Sequence, residues 1–267
     1  MYLDVQELKN FYYRSALGRA VQKSLRGEIY KIWPEAKALN VVGYGFAVPV
    51  LRHYLPHARR VVALMPAPQG VCAWPQGLPN VTALSYEDAW PLDTGQVDRL
   101  IVMHALEFSE RPTDLLEECA RVLGPGGRAL FVVPSRASVW ARRETTPLGH
   151  GRPYSLAQLE AQLREHGFVV ERSASALFGL PVSGRFWLRV SQILEKSGRH
   201  FSALYPGGVV LVEVSKRVTP LTGTGSKDIL QSALGVLAPK PQTQPSRSVP
   251  AGTVRGAALR DQGRSQT

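Results

Sequence analysis

The order of apolar and polar positions along the chain predicts an α/β protein that opens with helices. Apolar residues recur near the period of an α-helix over residues 3–33. Asp4, with Glu7 three residues later, forms a candidate capping box at the start of this stretch. Gly18 is a candidate break between two helices, and Pro34 closes the helical pattern.

After residue 37 the pattern alternates between short apolar runs and helical stretches. The predicted strands cover residues 38–43, 59–66, 80–85, 97–106, 128–135, 168–177 and 207–217. The predicted helices lie after the first strand up to Leu55 and over residues 112–127, 155–167 and 184–200. Such alternation is typical of a mainly parallel sheet that carries helices on both faces.

The same pattern divides the chain into three parts. Residues 1–37 are an N-terminal helical segment, and residues 38–218 are the α/β domain. In the last part, residues 219–267, 22 of the 49 residues are Pro, Gly, Ser or Thr, and aromatic residues are absent. A segment of this composition buries too little apolar surface to order itself, which predicts a disordered basic tail.

Charge and cysteine content narrow the partners of the protein. The formal net charge is +11, of which +4 falls in residues 219–267. This excess permits an anionic partner, although a solvated basic surface without a specific partner explains it equally well. Cys72 and Cys119 lack the spacing of metal ligands, so we predict two reduced thiols and no metal site.

The sequence also predicts a cytoplasmic location. Asp4 and Glu7 stand where a secretory signal would need a basic and then an apolar segment. No run reaches the roughly 18 to 20 apolar residues of a membrane span. The oligomeric state is left open by the sequence.

Five motifs follow one another in the order of a known family. They are "VVGYG" after residue 40, a second apolar strand, "SYEDAWPL", "VDRLIVMHALEFSERPTDLLEECARVLGPGGRALFVVPS" and "YSLAQLEAQLREHGF". Together they resemble the class I S-adenosylmethionine-dependent methyltransferases, in particular the type 11 methyltransferase-domain group. The likeness covers about residues 38–215, and its most specific part is the long fourth motif.

The resemblance implies a Rossmann-like sheet of seven strands in the order 3-2-1-4-5-7-6, with the last strand antiparallel. It also implies a cofactor, S-adenosyl-L-methionine, at the carboxyl ends of the first strands, where open α/β sheets bind their ligands. By this likeness Gly43 and Gly45 let the backbone approach the methionine part of the cofactor. The alternative is a strand-to-helix turn without a ligand.

Three positions depart from the family pattern. Val41 stands where the family usually has an acid that orients the cofactor ammonium group, and Ala47 replaces the third small residue, a glycine. Met65 stands at the cofactor-binding position where the family usually has an acid that holds both ribose hydroxyls. Its thioether sulfur is only a weak hydrogen-bond acceptor. Loss of such a carboxylate costs about 1.5–3 kcal/mol, or about ten- to a hundred-fold in affinity.

The resemblance assigns further residues to the site. Glu87 and Asp88 follow the third strand near the expected adenine position, with a solvated acidic loop as the alternative. His104 ends the fourth strand beside the cofactor and is a candidate base, because imidazole titrates near neutral pH. A histidine that caps the strand end, three residues before Glu107, is the alternative interpretation.

The segment "ETTPLGHGRPYS" supplies a second group of candidates. It follows the fifth strand and holds His150, a candidate base, Arg152, a candidate clamp for anions, and Tyr154. A turn-rich connection with solvated charges is the alternative. Methyl transfer depends mainly on placement of the acceptor, and a base is required only for a protonated acceptor.

Three other functions are alternatives to a small-molecule methyltransferase. A nicotinamide-dependent dehydrogenase is disfavoured because no tyrosine has a lysine four residues later. Nucleic-acid methylation is disfavoured because "HALEF" replaces the expected Asn/Asp-Pro-Pro-aromatic motif, so a small-molecule acceptor is predicted. A non-catalytic methyltransferase-like binding protein stays as the alternative, on the strength of Val41 and Met65.

Overall fold

A seven-stranded sheet forms the centre of the protein in the computed structural model, which describes residues 2–179, 181 and 207–217. The strands are β1 (Asn40–Gly45), β2 (Arg60–Pro66), β3 (Thr82–Ser85), β4 (Val97–Met103), β5 (Leu123–Pro134), β6 (Phe168–Ala176) and β7 (Val209–Lys216). Their order is β3-β2-β1-β4-β5-β7-β6. The pairs from β3 to β5 are parallel, and β7 is antiparallel to both neighbours. The predicted fold class, strand order and antiparallel last strand are confirmed.

Five α-helices are described around this sheet. They are α1 (Val5–Lys9), α2 (Ala16–Ile32), α3 (Val48–Leu51), α4 (Pro112–Val122) and α5 (Leu156–Glu165). A π-helical turn, Asn10–Arg14, joins α1 to α2. Within the described part of the chain, no helix combines the length and the apolar character that a membrane crossing requires. The predicted helix over residues 184–200 and the predicted tail over residues 219–267 lie outside the described residues.

Apolar side chains fill both faces of the sheet. One core cluster joins α1, α2 and α3 to the sheet through residues such as Leu8, Val21 and Leu51. The other joins α4 and α5 to the opposite face, with Leu116, Leu159 and their neighbours buried. Burial on both faces explains why the strands are continuous apolar runs rather than alternating patterns.

The break in the N-terminal helical stretch lies at Ser15, so the predicted break at Gly18 was wrong. Ser15 has an extended backbone, and its hydroxyl caps α2 by accepting a hydrogen bond from the amide of Gly18. A Cβ on Gly18 would lie 1.9 Å from the carbonyl oxygen of Phe11, so this glycine serves close packing inside α2. Asp4 caps α1 by accepting from the amide of Gln6.

Two element boundaries differ in a way that matters for the site. β1 extends to Gly45, so both glycines of "VVGYG" belong to the strand. The helix after β1 ends at Leu51, whereas the sequence pattern predicted an end at Leu55. Turns follow it, with the amide of Tyr54 bonded to the carbonyl of Leu51.

The predicted helix over residues 112–127 is also too long. α4 ends at Val122, and β5 begins at once with Leu123, which pairs with Val97 of β4. By contrast, the predicted capping box of α5 is present: Ser155 accepts from the amide of Gln158, whose side chain accepts in return from the amide of Ser155.

A buried carboxylate ties α2 to three strands. Glu213 of β7 has no exposed surface, and its oxygens accept from Trp33 Nε1 at 2.7 Å, from Arg128 at 3.1 Å and from Arg172. Burial alone would raise the pKa of Glu213, but the hydrogen bonds from Arg172, Trp33 and Arg128 lower it below its ordinary value.

Candidate functional site

The carboxyl end of β1 turns tightly against the end of β4. Gly45 has a φ of 81°, in the left-handed region that favours glycine. A Cβ there would lie 2.2 Å from the carbonyl oxygen of Met103, and a Cβ on Gly43 would lie 2.6 Å from Leu51 Cδ1. The packing of the protein itself therefore requires both glycines, whether or not a ligand approaches them.

His104 lies directly after β4 at the centre of this region. Its φ of 53° is unusual for a residue with a side chain and costs about 1–2 kcal/mol. The imidazole is 1% exposed, with Nε2 2.7 Å from the hydroxyl of Tyr12 and Nδ1 3.2 Å from Glu107 Oε1. The second pair is close enough for an ion pair, but its alignment is not that of a hydrogen bond.

The state of Tyr12 defines the proton positions in this cluster. Burial, and next the charge of Glu107, raise the pKa of Tyr12 well above its ordinary value. The hydroxyl therefore stays protonated and donates to His104 Nε2. In the neutral imidazole the hydrogen then lies on Nδ1, which faces Glu107.

The N-terminal segment covers the end of β1. The ring of Tyr12 stacks on Phe46, which follows Gly45, with 5.8 Å between the ring centres. Both side chains have no exposed surface. The sequence did not identify Tyr12, because its apolar spacing marked it only as a core position of a separate helical segment.

The predicted adenine residues are held by protein groups. Glu87 accepts hydrogen bonds from the hydroxyl of Tyr2 at 2.5 Å and from Ser109 Oγ at 2.7 Å. Asp88 forms an ion pair with Arg111 at 3.1 Å. Both acids border a cavity of about 220 Å³, whose lining also includes Tyr2, Pro68, Tyr86, Glu110 and Arg111.

Met65 and Val41 lie in the core on the face covered by α2. Met65 has no exposed surface and Val41 is 1% exposed. The short helix after β2 supplies a polar group nearby: Gln69, 1% exposed, donates from Nε2 to the carbonyl oxygen of His104 at 3.2 Å. Gln69 lies four positions after Met65, where the family has its acid, so sequence motifs gave no signal for it.

The loop after β5 places His150 near the same edge of the sheet. The amide of Arg152 donates to the carbonyl of Glu107 at 2.7 Å, which joins this loop to the segment after β4. His150 Nε2 lies 2.7 Å from the carbonyl oxygen of Glu144. Since a carbonyl only accepts, Nε2 carries the hydrogen, and the neutral ring leaves Nδ1 as an acceptor. Arg152 is exposed, and Tyr154 is half-buried against the core below α5.

One buried acceptor near the end of β4 has no protein partner. Gln69 Oε1 is buried without a hydrogen-bond partner among the described residues, whereas His104 Nδ1 and Glu107 Oε1 face each other at 3.2 Å. A buried polar atom without a partner costs about 1–3 kcal/mol. A hydroxyl or amino group of a bound molecule could donate to Gln69 Oε1, and S-adenosylmethionine carries both.

Comparisons with known proteins agree with this architecture. The profile of a methyltransferase domain family matches residues 40–131. No curated protein matches the chain. Among solved structures, a Thermotoga maritima S-adenosylmethionine-dependent methyltransferase, described as a possible histamine N-methyltransferase, has 18% identity and a TM-score of 0.55. The alignment covers 80% of this chain and 96% of that one.

Two further structures show the same fold. The complex between the Haloferax volcanii Trm112 methyltransferase activator and a putative methyltransferase has 18% identity and a TM-score of 0.55, over 80% of this chain and 97% of that one. The [4+2]-cyclase SpnF has 18% identity and a TM-score of 0.52, over 75% and 82%. The family match over residues 40–131, the strand order and the glycine turn between β1 and β4 agree with one another: this part of the chain is similar to the methyltransferase domain family, and the described sheet has the fold of the S-adenosylmethionine-dependent methyltransferase of Thermotoga maritima.

Proposed function

We propose that this protein is an S-adenosylmethionine-dependent methyltransferase that acts on a small-molecule acceptor. The observation that carries the proposal is the meeting of the Gly45 turn with His104, beside a buried acceptor, Gln69 Oε1, that has no partner among the described residues. When bound, S-adenosylmethionine supplies a methyl group on a positively charged sulfur. The cytoplasmic location stays a prediction from the sequence.

Specific residues would hold the cofactor. The backbone of Gly43 and Gly45 borders its methionine part, and Glu87 and Asp88 border the adenine end, as the family likeness implies. We infer that Gln69 replaces the acid missing at Met65, because its Oε1 is a buried acceptor suited to a ribose hydroxyl. An uncharged amide accepts a weaker hydrogen bond than a carboxylate does. We therefore expect this protein to bind the cofactor more weakly than a family member that has the acid.

We infer that the N-terminal segment moves when the cofactor enters. Tyr12 lies against Phe46 and bonds to His104, and Tyr2 bonds to Glu87. These contacts place the N-terminal segment against residues that the family likeness assigns to the cofactor. The π-helical turn Asn10–Arg14 and the extended Ser15 that follows it give this segment a natural hinge.

The two histidines have different roles in this proposal. His104 is buried with both ring nitrogens facing protein groups, so it lines the cofactor and supports the turn. His150 has an acceptor nitrogen, Nδ1, in a half-buried loop, which suits removal of a proton from the acceptor.

A non-catalytic binding protein of the same fold is the second candidate. Buried Val41 and Met65 and the cover provided by Tyr12 favour it. It predicts that no S-adenosylhomocysteine forms with any acceptor.

Formation of S-adenosylhomocysteine from S-adenosylmethionine tests the proposal. We would incubate the full chain with S-adenosylmethionine and the small-molecule fraction of a cell extract, and measure the product by mass spectrometry. Enzyme-dependent product is expected, with loss of most activity in His150→Ala and retention in the control His166→Ala, at the distant end of α5. Equal rates with and without protein would contradict the proposal.

A further inference from the structure

A second cavity lies between the N-terminal segment and the loop after β5. Its volume is about 390 Å³, within the range of small-molecule sites. The residues that line it are Leu3, Glu7, Phe11, Glu144, Thr145, Thr146, Pro147 and His150. The bond between Arg152 and Glu107 places this loop next to the segment that follows β4.

The lining of this cavity is acidic although the chain as a whole is basic. Glu7 and Glu144 are both exposed, and neither forms an ion pair with a described residue. None of the described lining residues is Lys or Arg. With a net charge of +11 over the whole chain, two unpaired carboxylates in one cavity are a local reversal of sign.

Two other polar groups are available to a ligand here. Thr146 is 2% exposed, and its Oγ1 has no hydrogen-bond partner among the described residues. His150 Nδ1 is an acceptor in the neutral ring, because Nε2 donates to Glu144. An ammonium group has three N–H donors and no acceptor, so it complements carboxylates, a hydroxyl oxygen and an imidazole nitrogen.

Apolar groups complete the lining. Leu3, Phe11 and Pro147 suit the body of a small organic molecule. The ring of Phe11 also attracts a cation that lies over its face.

We propose that this cavity binds the methyl acceptor and that the acceptor is a small organic amine, cationic at neutral pH, with an aromatic or aliphatic body. The role of the amine as methyl acceptor rests on the proposed function. Binding of an amine in this cavity can be tested separately from that function. Glu7 and Glu144 hold the ammonium group, and the apolar residues hold the body. His150 takes one proton from the ammonium group, which leaves a neutral amine with a free electron pair on nitrogen.

Calorimetric titration of three probes of similar shape tests the charge preference. Phenethylamine is the cation, 2-phenylethanol the neutral analogue and 3-phenylpropionate the anion, each titrated into the full chain. We expect phenethylamine to bind at least about tenfold more tightly than 2-phenylethanol, and no saturable binding of 3-phenylpropionate. Glu7→Gln and Glu144→Gln should each remove most of this preference, whereas Glu165→Gln, on an exposed turn of α5, should leave it unchanged.

Equal affinity for the amine and the alcohol, or no effect of both glutamine substitutions, would overturn the inference. A parallel titration with S-adenosylmethionine separates the two proposals. If the cofactor binds and the amine preference is absent, only this inference fails. If the amine preference is present and the cofactor does not bind, the proposed methyltransferase function fails and the amine site stands.

Discussion

At the scale of single residues, one position serves both the fold and the candidate site. Gly45 lies where β1 meets β4, and its backbone conformation and its contact with Met103 exclude a side chain. Replacement of Gly45 by a bulky residue would therefore damage folding and ligand binding together. A test of ligand contact needs residues such as Gln69, whose side chain has a buried acceptor and lies outside the sheet.

Gly45→Ala should strongly destabilise the protein. A positive φ costs a residue with a side chain about 1–2 kcal/mol, and the contact 2.2 Å from Met103 adds about 1–3 kcal/mol. Gly77→Ala is the matched control, since Gly77 has a φ of 79° but no atom within 4 Å of the added Cβ. Urea unfolding should give a clearly larger loss for Gly45→Ala, and equal losses would refute the close packing.

Glu213→Gln should destabilise the protein in a pH-dependent way. The substitution removes the buried negative charge that pairs with Arg128 and Arg172, which should lower the free energy of unfolding by about 2–3 kcal/mol near pH 7. This loss is smaller than for a fully buried ion pair, because both arginines are partly exposed. The pKa of Glu213 is lowered in the folded protein, so its contribution is full above the ordinary value of 4.5 and is lost as pH falls through the lowered pKa. Unfolding at several pH values should show the difference from the wild type shrinking below about pH 4.5. A difference independent of pH would contradict this role of the carboxylate.

At the scale of elements, the N-terminal segment is part of the candidate site. Tyr2 and Tyr12 bond to Glu87 and His104, both of which the family likeness assigns to the cofactor. α1 also contributes Glu7 to the acidic cavity. The segment therefore links the cofactor region to the cavity proposed for the acceptor.

Tyr12→Phe should loosen this segment. The substitution leaves His104 Nε2 buried without its donor, which costs about 1–3 kcal/mol. Hydrogen exchange over residues 2–14 should become faster than in the wild type. Unchanged exchange in Tyr12→Phe would show that the hydroxyl does not hold the segment.

Addition of S-adenosylhomocysteine should alter exchange in the same region. We expect changes in residues 2–14, 43–48 and 104–109, because these contact one another at the ends of β1 and β4. β7 should show none. A change confined to β6 and β7 would place the ligand elsewhere.

At the scale of the whole molecule, the sequence predicted the sheet but not the long-range contacts around the candidate site. Apolar runs and the capping signals of α5 depend on neighbouring residues, so local pattern was enough to find them. The motifs then predicted the strand order through the family likeness. The helix after β1 was predicted, but its end was placed at Leu55 and not at Leu51, because apolar spacing alone does not show that turns replace the helix there.

The contacts of the site depend on residues far apart in the chain. Tyr12 and His104 are separated by 92 positions, and Tyr2 and Glu87 by 85. No local pattern encodes such pairs, since they exist only after the N-terminal helices pack on the sheet. The contact between Gln69 and the carbonyl of His104 also joins distant parts of the chain, so a family motif that expects an acid at position 65 does not predict it.

The central claim is that S-adenosylmethionine binds at the carboxyl ends of β1 and β4. Calorimetric titration of S-adenosylmethionine and S-adenosylhomocysteine into the full chain measures this directly, with Gln69→Leu and the distant Gln162→Leu on α5 as matched variants. We predict saturable binding with one site per chain, a dissociation constant below about 1 mM, and at least about fivefold weaker binding in Gln69→Leu alone. Absence of binding at millimolar cofactor would contradict the account.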